Sequence, residues 1–142
     1  MRLLLFFIAV HHAGTVITTQ FNAYITFKCT LNTFWCVGAT LVEDDQFFDD
    51  YIKQSDLQCQ STPEVLIMVN GTQDGDGFFD DWYEMELQVQ HNCTSDGSKM
   101  KFTAMLGYVK VTDKEASLKF NGDLTNVESK SLLSFENGTL VT

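Results

Sequence analysis

Residues 74–93, DGDGFFDDWYEMELQVQHNC, constrain the fold more than any other stretch of the chain. Asp74-Gly75-Asp76-Gly77 combines two glycines, which tolerate positive φ, with two short carboxylates that bond nearby backbone amides. That is the chemistry of a turn between strands. Beyond it Tyr83, Met85, Leu87 and Val89 alternate with Glu84, Glu86, Gln88 and Gln90. One apolar and one polar side at a period of two is the signature of a half-buried strand with one wet face.

The same period recurs along the chain. From Asn22, Ala23, Ile25, Phe27 and Cys29 alternate with Tyr24, Thr26 and Lys28, which predicts a first strand. Val37, Ala39 and Leu41 alternate with Gly38, Thr40 and Val42 in a second, which runs into the acids Glu43, Asp44, Asp45, Asp49 and Asp50. Residues 53–63 read as a polar loop carrying Cys59. Val65, Ile67 and Val69 predict a strand ending at Asn70-Gly71, and the apolar Leu66 and Met68 between them predict burial on both faces. Met100, Phe102, Ala104 and Leu106 predict another. Leu118 and Phe120 lead into Asn121-Gly122, a hairpin signal, with Leu124 beyond it. Seven or eight short strands, without an amphipathic helix or an internal repeat, predict an all-β, two-sheet antiparallel β-sandwich. Residues 129–142 read as an added strand or a tail.

The N-terminus carries a different signal. Arg2 precedes the apolar run from Leu3 to Val10, and polarity changes at His11-His12-Ala13-Gly14. These are the regions of a secretory signal peptide, residues 1–19, with cleavage expected between residues 13 and 19. A membrane span needs ~18 or more apolar residues, so no transmembrane segment is predicted. The expected domain is 20–128. Cleavage removes Arg2, His11 and His12, leaving His91 as the one histidine and eight lysines against 19 carboxylates. So acidic a surface, without arginine, argues against nucleic-acid and anionic-membrane partners, which are held by cationic contacts.

Cys29, Cys36, Cys59 and Cys93 form an even set in a chain expected to enter an oxidising compartment, so two disulfides are predicted. Three pairings are open. No CxxC pair supports zinc. Asn70-Gly71-Thr72, Asn92-Cys93-Thr94 and Asn137-Gly138-Thr139 are N-glycosylation acceptors, in keeping with secretion.

The ordered set of features resembles the nematode transthyretin-like family of secreted proteins. The resemblance rests on the strand ending in Cys29, on residues 37–50 (VGATLVEDDQFFDD) and on the turn DGDGFF. It continues through His91-Asn92-Cys93 and residues 120–126 (FNGDLTN), spanning residues 22–129. It implies a transthyretin-like (prealbumin-like) sandwich outside the cell, without assigned chemistry for most members, a few of which bridge cell-surface ligands such as exposed phosphatidylserine to receptors. In this chain Asn32-Thr33 stands where members carry Lys-Pro, a cysteine after the HxC position is missing, Cys36 and Cys59 are extra, and residues 56–69 look inserted. In such a sandwich the first strand and the Tyr83–His91 strand end near each other, which implies Cys29 with Cys93 and leaves Cys36 with Cys59. Cys36 with Cys93 is the alternative.

Enzymatic relatives of transthyretin hydrolyse 5-hydroxyisourate with histidines, an arginine and a C-terminal Tyr-Arg-Gly-Ser. This chain ends in Gly138-Thr139-Leu140-Val141-Thr142, and His91 lacks the companions for a nucleophile-base pair, so no catalytic residue is assigned and hydrolysis is the remotest expectation. For calcium, an EF-hand loop aligned on Gly77 puts Thr72 and Tyr83 where ligand carboxylates belong, so that motif fails. Irregular oxygen sites remain, from Asp74, Asp76, Asp80 and Asp81 or from Glu43, Asp44 and Asp45. Phe47, Phe48, Tyr51 and Trp82, with Phe78, Phe79 and Tyr83, form a candidate binding surface for an apolar ligand or protein partner. The expected function is a secreted, non-catalytic carrier or interaction module for a small apolar ligand or cell-surface protein. A calcium-dependent adaptor for a lipid head group or cell-surface ligand is the alternative. No cofactor is expected, calcium being the one candidate that the acids leave open.

Overall fold

A computed structural model describes residues 17–45, 49–75 and 81–127. They form eight strands and, among the described residues, no helix. The strands are β1 (Thr18–Lys28), β2 (Trp35–Glu43), β3 (Asp50–Gln54), β4 (Gln58–Gln60), β5 (Glu64–Asp74), β6 (Trp82–His91), β7 (Met100–Lys110) and β8 (Glu115–Asp123). They make two sheets, β5-β1-β8 and β3-β2-β6-β7, with β4 also paired to β2. β3 pairs with Thr40–Glu43 and β4 with Trp35–Val37, so together they form one interrupted edge along β2. The interruption is stitched by Ser55, whose N–H donates to Ala39 O (2.8 Å) while its Oγ accepts from Ala39 N–H (3.0 Å).

Alternation decides which side chains meet between the sheets. Phe21, Ala23, Ile25 and Phe27 of β1 face Tyr83, Met85, Leu87 and Val89 of β6 in one core, joined by Val37, Ala39 and Leu41 of β2 and by Leu118 and Phe120 of β8. Phe21 and Tyr83 meet edge to face across it, centroids 5.3 Å apart, while Phe27 and Phe120 pack edge to face on neighbouring strands of the small sheet at 5.8 Å. Trp35, fully buried, satisfies its indole N–H on Thr62 O at 2.8 Å.

Cys29, just past β1, is bonded to Cys93, just past β6, so this disulfide ties one sheet to the other inside the core. Cys36–Cys59 is of another kind: it joins directly opposed residues of β2 and β4 within one sheet, Cα atoms 4.0 Å apart. Cys36 gives its N–H to Asn92 Oδ1 and takes Asn92 N–H on its carbonyl, so toward β4 it sits at a non-hydrogen-bonded position, where side chains approach most closely.

Several expectations need correction. Asn121-Gly122 is no hairpin but lies inside β8. A Cβ on Gly122 would stand 2.7 Å from Phe120 Cε1 and 3.6 Å from Phe27 Cδ1, so glycine is there to admit aromatic rings. β8 runs parallel to β1, which makes the small sheet mixed rather than antiparallel. β5 continues past Asn70-Gly71 to Asp74, and Leu66 and Met68 are 60% and 61% exposed instead of buried, because it is Val65, Ile67 and Val69 that face the core. The apparent insertion at 56–69 contains β4 and the first half of β5, and β5 pairs with the whole of β1. The loop expected over 53–63 holds the end of β3 and all of β4. The strand expected from Asn22 begins at Thr18. The leader up to Val16 and the tail from residue 128 lie outside the described residues.

Candidate functional site

The sandwich carries chemistry at its two ends, and the acidic end follows from β2. β2 stays in unbroken register with β6, where Glu43 pairs with the core residue Met85, so the alternation that points Val37, Ala39 and Leu41 inward carries Glu43 inward too, and it is buried. Asp45 follows, and β3 returns with Asp50 opposite Glu43. Carboxylate oxygens of Glu43, Asp45 and Asp50 lie within 4.8 Å of one another. Gln73 Nε2 donates to Asp50 Oδ2 at 2.6 Å and to Glu43 Oε2 at 3.4 Å, partly offsetting their repulsion. Nearby, burial first and then the charges of Asp44 and Asp49 push the Glu86 carboxyl above its usual range. Oxygen-only ligands at this spacing suit a hard dication such as calcium, which takes six to eight oxygens.

Of the two expected oxygen sites, Glu43 and Asp45 come together with Asp50 in place of Asp44, whereas the Asp74, Asp76, Asp80 and Asp81 set falls elsewhere. Asp74 closes β5 and Asp81 precedes β6, while Asp76 and Asp80 lie outside the described residues. Gly75 has φ +72°, the left-handed conformation expected of a turn glycine. Of the aromatic surface, Phe47, Phe48, Phe78 and Phe79 also lie outside. Tyr51 is exposed on β3, its hydroxyl accepting from Gln54 N–H (2.9 Å), and Trp82 opens β6 with Lys110 Nζ 5.1 Å from its ring centroid. Tyr51 aligns through Val42 with Glu86, four residues along β6 from Trp82, so the register does not bring the two rings together.

The other end holds a groove of about 540 Å³, lined by Cys36, Leu57, Gln90, His91, Asn92, Lys99, Met100 and Lys101. Register explains the assembly. On the outer face of the large sheet Gly38 of β2 pairs with Gln90 of β6, and Gln90 pairs with Lys101 of β7. One step along, Cys36 bonds Asn92, just past β6, and Lys99 just precedes β7. Leu57 leans over Gly38, its Cδ1 3.6 Å from where a Cβ would stand, and forms the apolar wall.

His91 belongs to the same strand end but points the opposite way from Gln90, into the core against Phe102. Only 3% exposed, it accepts the Cys93 N–H on Nδ1 (3.3 Å), so the neutral ring carries its proton on Nε2. Burial pushes its pKa down to about 4. Of the glycosylation acceptors, Asn70 is exposed on β5, Asn92 is half-buried on the groove, and Asn137 lies outside the described residues. Sequence reasoning missed Leu57, Gln90, Lys99 and Lys101: they come from separate segments, and no local pattern links them.

Fold and sites together define an all-β, two-sheet domain cross-linked by two disulfides, with an acidic end and a groove at the other. The chain belongs to the family described as Caenorhabditis elegans protein of unknown function (DUF870), whose pattern matches residues 24–132 and so takes in all four cysteines and the groove. It is also similar to an uncharacterized protein of Caenorhabditis elegans, 32% identical over 69 residues, which is 49% of this chain. That match spans 52%, about half, of the relative's length. No solved structure matches the chain.

Proposed function

We propose that this domain is a secreted, non-catalytic carrier or interaction module built on a transthyretin-like sandwich. The observation that carries the reading is the groove: a concave site of about 540 Å³ with an apolar wall and a few polar groups, within the ~300–1,000 Å³ usual for small-molecule sites. His91 supports the absence of catalysis. A buried imidazole with a pKa of about 4 is poorly matched to proton transfer near neutrality. The leader, the sequons and the two disulfides favour an extracellular setting. Native mass spectrometry of protein secreted from eukaryotic cells, before and after glycan removal and gentle unfolding, tests the reading. A discrete adduct lost on unfolding supports a carrier. Bare chains, with no adduct in any preparation, count against it and leave a protein partner.

A calcium-dependent adaptor is the second reading, favoured by the convergence of Glu43, Asp45 and Asp50. Its ligands are these residues rather than the Asp74–Asp81 set. Calcium should raise the melting temperature, and Asp50→Asn should abolish the rise. A melting temperature indifferent to calcium removes this reading.

A further inference from the structure

The groove runs against the charge of the molecule that bears it. The chain has 19 Asp and Glu against nine Lys and Arg, yet the lining holds Lys99 and Lys101 and no carboxylate. The acids Glu43, Asp45 and Asp50 gather around the far end of β2. Across the groove the sheet register sets a gradient of chemistry: Leu57, 65% exposed, over Gly38 on one side, Gln90 in the middle, Lys101 on the other, with Lys99 and Met100 beside it. A large apolar side chain left this open, across the groove from two cations, fits a ligand that is apolar at one end and anionic at the other.

We propose that the groove binds a small amphiphile bearing a single carboxylate, its hydrocarbon against Leu57 and its head group at Lys99 and Lys101. The proposal rests on the carrier reading and names its ligand class. A carboxylate is preferred to an alcohol because ammonium-carboxylate hydrogen bonds are about twice as strong as neutral ones. Elsewhere the acidic surface repels an anion, which confines it to this site. A bare anion without hydrocarbon would gain little, since exposed ion pairs in water contribute weakly.

Calorimetric titration of the secreted protein with decanoate, decanol and decyltrimethylammonium, each below its micelle concentration, tests this. Leu57, Lys99 and Lys101 are all exposed, so their variants should keep the fold, checked by melting. Decanoate should bind saturably and more weakly as salt is raised. Lys99→Glu with Lys101→Glu should weaken it at least about tenfold, the scale of one lost charge-assisted hydrogen bond. Leu57→Asp should weaken it too, while Lys114→Glu, an exposed lysine outside the groove, should leave it within about twofold.

Decanol binding as tightly as decanoate, sensitive to Leu57→Asp but not to the lysine variants, would overturn the carboxylate assignment and leave the carrier reading standing. An adduct of another class in native mass spectra, without decanoate binding, would do the same. No saturable binding of any probe together with no adduct would remove both. Decanoate binding that appears only after glycan removal would show the groove to be the seat of the Asn92 glycan, and would overturn the proposal for the secreted protein.

Discussion

Replacing Cys29 and Cys93 together by alanine should cost a large part of the stability of this domain. The bond closes a separation of 64 residues, and the loss of loop-closure entropy from the unfolded chain corresponds to roughly 4 kcal/mol. The Cys36–Cys59 loop, 23 residues, lies inside it and corresponds to about 3 kcal/mol. Nesting shortens the effective outer loop, but the dependence is logarithmic and shifts the figure by only about a few tenths of a kcal/mol. A small domain has a total of ~5–15 kcal/mol, so the loss removes from about a quarter to most of it. Urea unfolding should move its midpoint down by roughly 2 M at a slope of about 2 kcal/mol/M.

Reduction of the native protein gives an independent measure should that variant not fold. Cys59 is exposed, so dithiothreitol should open Cys36–Cys59 directly, whereas Cys29 and Cys93 are fully buried and should be reduced only through unfolding. Timed alkylation and peptide mass spectrometry read the order. A loss below about 1 kcal/mol in the variant, or both bonds opening at one rate under native conditions, would refute the inter-sheet role argued for Cys29–Cys93.

Gly71→Ala should destabilise by about 1–3 kcal/mol, because its Cβ would fall 2.5 Å from Ile52 Cγ2 and 3.2 Å from Lys53 Cβ. An unchanged melting temperature would mean that β3 does not pack on β5 at that point. His91 gives a pH prediction with a definite sign. Its pKa is about 6.5 unfolded and about 4 folded, so above 6.5 both states are neutral; as pH falls toward 4 the unfolded state takes up the proton first, and stability is lost. The loss amounts to about 3 kcal/mol at pH 4 and should be missing from His91→Gln, compared by urea unfolding at both pH values. Equal acid sensitivity in the two proteins would show that His91 is not held neutral by burial.

Much of the fold was legible because alternation is a local signal. Tyr83 to Val89 and Ala23 to Phe27 point inward as their spacing requires, since successive side chains of a strand must take opposite faces. Turn signals transferred less well. Asn121-Gly122 has the composition of a hairpin, yet the rings of Phe27 and Phe120 explain that glycine by space instead of by φ. β3 and β4 were hidden because Lys53, Gln54, Gln58 and Gln60 are edge residues with little apolar content, held in place by partners on β2. Leu66 and Met68 looked like core because an apolar residue does not reveal which sheet, if any, covers its face.

By itself the sequence determined the β-class, the inward set of each main strand, the even cysteine count and the acidic surface, all of which depend on residue type and near-neighbour spacing. Tertiary structure alone decided the parallel pairing of β8 with β1, the different character of the two disulfides and the make-up of the sites. Glu43, Asp45 and Asp50 meet because β3 folds back along β2 and sets Asp50 opposite Glu43. Leu57, Gln90 and Lys101 share one wall-to-wall groove because three strands are in register across a sheet, a relation between residues far apart in the chain that no local pattern encodes.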